Sequence, residues 1–183
     1  LGDCIIVKKK IENKNVVIVK AKGPGSRLGK LGRVVESVIK KEKPKKIITI
    51  DAAAKLEGEK TGSIAIGVGV AIGGIGVDKF IIEEIASKYD IDVETIVIKM
   101  SDEEAICPMS PEILNSKNVA IERLKEMIRK SNGKILIVGV GNSVGIPNYA
   151  ENLKELEKNI IDYWKKHGEE KEKKGILESL FEV

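Results

Sequence analysis

Residues 46–77 read KIITIDAAAKLEGEKTGSIAIGVGVAIGGIGV, and the fold class turns on this stretch. It opens with the apolar, β-branched run Ile47–Ile50, which predicts a strand. Asp51 follows at once. A segment with Lys55, Glu57, Glu59 and Lys60 comes next and reads as a loop from Ala52 to Gly62. A second apolar run, Ser63 to Ile72, alternates. It sets Ala65, Gly67, Gly69 and Ala71 on one nearly bare face, and Ile64, Ile66, Val68, Val70 and Ile72 on the other. It ends in Gly73-Gly74-Ile75-Gly76. An acid just past a buried strand, backed by a glycine-rich segment, is a common way for α/β proteins to build a site.

Outward from this stretch, strands and helices alternate. Cys4–Lys8 and Asn15–Lys20 predict a β-hairpin. Residues 22–30, KGPGSRLGK, form a glycine-rich turn opening a helix over about 30–41, with Leu31, Val34, Val35 and Val38 at helical spacing. Pro44 closes it. Asp78 is placed to cap a helix over about 79–88. Residues 94–99 predict a strand that runs into the acids Asp102, Glu103 and Glu104, and a helix spans about 111–130. Residues 134–140 are the last strand. Beyond it, a helix over about 148–167, a solvated charge run over 168–174 and a short apolar helix over 176–181 are expected. The pattern predicts an α/β fold: a three-layer αβα core over 1–147 with a mostly parallel central sheet, and a C-terminal helical segment over 148–183 that packs on the core or on a partner chain.

The 183 residues are 42% hydrophobic but only 3% aromatic, so the core must be aliphatic, as suits buried parallel strands. A net charge of +4 and the scarcity of aromatics give no basis for a nucleic-acid partner. Cys4, Cys107 and His167 are too few for a disulfide framework, and give no basis for zinc or haem. No run reaches the ~20 apolar residues of a membrane helix. The richness in Lys, Glu and Ile fits a thermophile. The chain opens on Leu1 without a methionine, and so is read as part of a longer protein.

Two kinds of site are open at this point. The first is anionic-ligand binding. Gly25, Arg27 and Lys30 sit in a glycine turn that leads into a helix N-terminus. The turn is one residue short of a Walker motif, and Leu31 stands where that motif has a hydroxyl. Gly73 and Gly74 could add backbone donors, Lys55 and Lys60 could meet an anion, and Asn142 lies in the glycine-rich turn after the last strand. The second is acid-pair hydrolysis. Asp51, with Asp102 or Glu104, would share one proton, so that one group acts as base and the other as acid. A variant sets Glu57, Glu59 and Asp102 around Mg²⁺ or Mn²⁺, which prefer oxygen ligands. A scaffold role, with the bare glycine face and the C-terminal helix at a contact between subunits, is a third option.

The segments GPGSRLGKLG, IDAAAKLEGEKTG, GVAIGGIGVDKFIIEE and VIKMSDEEAICPM resemble an uncharacterised archaeal family, DUF 1512. That resemblance implies an archaeal source, an upstream hydrophobic anchor, and hence a cytoplasmic domain tethered to the membrane. It implies no activity. IITIDAAA, ETIVIKMSDEEA and ILIVGVGNSVGIP are similar to the germination protease and the hydrogenase-maturation proteases. This second resemblance implies a phosphorylase/hydrolase-like fold, a small-molecule or peptide ligand, and a catalytic role for Asp51 with Asp102 or Glu104.

Overall fold

The computed structural model describes residues 4–23, 31–70, 77–141 and 143–181. The first two strands, β1 (Cys4–Ile11) and β2 (Lys14–Ala21), pair antiparallel through a two-residue turn. Glu12 and Asn13 both take positive φ, at 50° and 59°, as turns matching the strand twist require. Helix α1 (Leu31–Glu42) leads to β3 (Lys46–Ala54). Then follow β4 (Ile64–Val68), α2 (Val77–Lys88), β5 (Asp92–Met100), the short α3 (Asp102–Ile106), α4 (Pro111–Lys130), β6 (Ile135–Gly139) and α5 (Leu153–Phe181).

The strands form one sheet in the order β1-β2-β6-β3-β5-β4. The four inner strands are parallel, and the two edges pair antiparallel. Alternation sorts the inner side chains onto two aliphatic cores. Val17, Val19, Ile47, Leu136 and Val138 meet Val35, Ile39, Ile82 and Ile85 of α1 and α2. On the other face, Val16, Ile48, Ile96, Ile135 and Ile137 meet Met127 and Ile128 of α4. This is the αβα arrangement, and among the described residues no aromatic side chain enters either core.

Several expectations are corrected. β3 does not stop at Ile50. It continues through Asp51 to Ala54, because the register with β5 carries on to the pair Ala54–Met100. β4 is an antiparallel edge strand of five residues, and its expected apolar face is split. Val68 is 94% exposed, whereas Val70 is buried in the α1/α2 core. Gly69, at φ +91°, turns the chain between them in a conformation that favours glycine. Asp78 lies within the first turn of α2, and its Oδ1 accepts the Gly32 N–H of α1 at 2.9 Å. It thereby satisfies a helix-terminal donor of the neighbouring helix. Residues 148–152 are not helical. The last helix begins at Leu153, with the Asn152 side chain accepting from Glu155 N–H at 3.2 Å. It then runs unbroken to Phe181 through the charge run. It is held to the core by Trp164, whose indole N–H donates to the Met109 carbonyl at 2.7 Å, and by the Lys117–Glu157 ion pair.

Candidate functional site

The parallel strands β2, β6, β3 and β5 end along one edge of the sheet. α1 and α2 begin at that edge over the first face, held together by the Asp78–Gly32 bond. The chain leaving β5 and β6 instead goes to the other face, into α4 and into α5, which lies on α4. β2 and β6 are neighbours whose continuations part to opposite faces. Open α/β sheets hold ligands at such a parting, at the carboxyl ends of the strands.

Lys20 stands at this parting. It is the penultimate residue of β2 and pairs with Gly139, the last residue of β6. Gly139 has no side chain to cover it; a Cβ there would lie 3.7 Å from Lys20 Cγ. The Lys20 ammonium donates to the Ala21 carbonyl at 3.2 Å and to Asn148 Oδ1 at 3.5 Å. Asn148 Oδ1 also accepts from Gly23 N–H at 2.7 Å, and its amide nitrogen donates to the Gly23 carbonyl at 3.4 Å. One side chain thus ties the segment after β2 to the segment after β6. Burial lowers the Lys20 pKa, because removing an ammonium from water disfavours its charged form. Ser143 is buried in the loop beyond β6, and Val144 bridges to Pro108. Sequence reasoning does not single out Lys20 or Asn148, and marks Gly139 only as the first glycine of the glycine-rich turn after the last strand. The only local signal is a lysine closing a strand just before Gly-Pro-Gly.

The expected acids lie elsewhere along the same edge. Asp51 is opposite Val97 on the adjacent strand β5, and accepts its own neighbour's Ala52 N–H at 2.7 Å. It is on the face of Ile47 and Thr49, whereas Lys20 is on the face of Val16 and Ile18. Asp102 is exposed at the first position of α3. Glu104 completes a capping box there. It accepts the Ser101 N–H at 2.6 Å, while Ser101 Oγ accepts the Glu104 N–H at 3.2 Å. Its carboxylate also accepts from Thr61 at 2.8 Å and meets Lys55 at 3.4 Å. The Ser101 N–H, then Thr61 and Lys55, outweigh the desolvation and hold Glu104 below the usual carboxylate range. Lys55, expected to meet an anion, donates to Thr61 at 2.7 Å and so belongs to this cluster. Glu59 accepts from Leu56 N–H at 2.7 Å and pairs with Lys99 at 3.2 Å. Glu57 and Lys60 are exposed. Among the described residues, no three His, Cys, Asp or Glu gather closely enough to hold a metal ion. Gly25, Arg27, Lys30, Gly73, Gly74 and Asn142 lie outside the described residues.

The fold defines a three-layer α/β domain with two neighbouring parallel strands, β2 and β6, whose continuations diverge. The chain belongs to the DUF1512 family: the model described as "Domain of unknown function (DUF1512) C-terminal" matches residues 1–147, a span that closes just before the crossing residue Asn148. Comparison with curated proteins and with solved structures returned no match. No helix among the described residues is long and apolar enough to cross a membrane.

Proposed function

We propose that this domain binds a nucleotide or another phosphorylated small molecule at the β2/β6 parting, without catalysis. The observation that carries the reading is Lys20, a half-buried ammonium at the strand ends beside a residue with no side chain. Its ammonium is held by the Ala21 carbonyl and Asn148, and an anionic ligand group beside it would favour its charged form further, against the burial that lowers its pKa.

Hydrolysis by an acid pair is the weaker reading, because it needs one carboxyl of the pair held neutral. Glu104 is instead drawn to its ionised form by Ser101, Thr61 and Lys55. Attachment of the full-length protein to a membrane by an upstream segment belongs to the proposal as well. So does self-association, for which edge strand β4 offers Ile66 and the 94% exposed Val68.

Thermal unfolding against a panel of nucleotides and sugar phosphates tests the binding. A ligand at 100 times its Kd stabilises by about 2.7 kcal/mol, or roughly 5–11 °C for a domain of this size. Lys20→Met should abolish the shift. A shift that survives this change, or no shift across the panel, defeats the proposal, and turnover of any compound in the panel would restore the hydrolytic reading.

A further inference from the structure

The opposite end of the sheet holds a separate cleft of about 440 Å³, between the β1–β2 hairpin and the C-terminus of α1. The Lys8 and Lys10 side chains lie on the lining face of β1, with Lys134 and the single acid Glu42 beside them, a net charge of +2; Lys9, opposite Val16, is on the other face of the strand. Glu42 organises the floor. Its side chain is only 10% exposed, and its two oxygens take Lys8 Nζ at 2.5 Å and Lys134 Nζ at 2.8 Å. One carboxylate therefore fixes two ammonium groups side by side. Lys8 and Lys10 share a face of β1 with Val17 and Asn15 of β2, so Lys10 and the Asn15 amide extend the same wall.

We infer that this cleft is a second ligand site, for a compound carrying two or more phosphate groups. Several ammonium groups around one concavity suit a polyvalent anion, and lysine binds phosphate as a point charge. Among the described residues, no arginine or aromatic side chain lines the cleft, so base readout and base stacking, the means of recognising nucleic acid, have no counterpart there. The shared chemistry is clustered phosphate, supplied either by a free compound or by a polyphosphorylated lipid headgroup.

Two arms separate these sources. Calorimetric titration with inorganic triphosphate tests the free compound. Co-sedimentation with phosphatidylcholine vesicles, with and without a phosphatidylinositol bisphosphate, tests the headgroup. The variant Lys10→Glu changes a cleft lysine that makes no ion pair among the described residues, with Lys10→Gln as the milder check should the charge reversal disturb folding. Removing one charge-assisted hydrogen bond to the ligand should weaken binding about tenfold or more. Binding in either arm that is abolished in the lysine variants and retained in Lys20→Met supports the site and names its source. That result stands whether or not the β2/β6 parting binds anything. Triphosphate binding that responds to Lys20→Met and ignores the cleft lysines belongs to the other end of the sheet and overturns the inference, as does no binding in both arms.

Discussion

Gly139→Ala separates the stability of the fold from the use of the β2/β6 parting. The new methyl would sit 3.7 Å from Lys20 Cγ and 3.9 Å from its Cβ, both ordinary van der Waals distances. Gly139 is not among the glycines with positive φ, so alanine adopts the backbone without strain. Replacing glycine at such a position stabilises by about 0.4–1 kcal/mol through the unfolded chain, or roughly 1–4 °C in Tm. The same methyl stands against Lys20, where the ligand group is placed. Gly139→Val adds more volume, and an overpacking cost of about 1–3 kcal/mol falls on the liganded state, a roughly 5- to 150-fold loss of affinity. Tm by differential scanning calorimetry and Kd by titration with the best nucleotide of the panel give the two readouts. The expected pattern is an unchanged or raised Tm with affinity falling from Gly to Ala to Val. Equal affinity in all three would show that no ligand approaches Gly139, and a Tm several degrees lower in the alanine variant would show that the space is not open.

Three further outcomes are expected. Hydrogen bonds from Lys134 and then Lys8 lower the Glu42 pKa from 4.5 to about 2. Because the folded value is depressed, this contribution is complete above about pH 4.5 and is lost as pH falls toward 2; the denaturant midpoints of wild type and Glu42→Gln should converge over that window, and a constant gap contradicts this. Thr49 donates to Thr95 at 2.8 Å inside the sheet. Thr95→Val, which strands a buried donor, should cost about 1–3 kcal/mol, and adding Thr49→Val should recover part of that cost; strict additivity in urea unfolding refutes the coupling. Glu104→Gln preserves the capping box and should cost under about 1 kcal/mol, whereas Glu104→Ala should cost about 1 kcal/mol. Neither should alter ligand affinity, and loss of binding in Glu104→Gln would return Glu104 to the functional site.

The local elements are legible in the sequence because their signals are local. The alternation in β1 and β2, the helical spacing in α1, and the Ser110-Pro111 start of α4 are each contained within a few residues. What eludes the sequence depends on partners far along the chain. Ala52–Ala54 has no strand character of its own, and it is strand because β5 continues beside it to Met100. The insertion of β6 between β2 and β3 is a choice of neighbours that periodicity does not encode. Gly168 and the surrounding charges read as a break, yet with no proline present the helix runs through them. The Lys20–Asn148 bond joins residues 128 positions apart, so neither residue is marked by its surroundings. Glu104 stands out in the sequence for its charge, but its environment is that of a helix cap.

The most direct test of the β2/β6 site is a map of backbone amide chemical shifts as a nucleoside diphosphate is added to the ¹⁵N-labelled domain. Shifts concentrated at Lys20–Gly23, Val138–Gly141 and Ser143–Asn148, and absent in Lys20→Met, are the expected result. Shifts confined to Asp51 and Asp102–Glu104, or an unchanged map at saturating ligand, would contradict it.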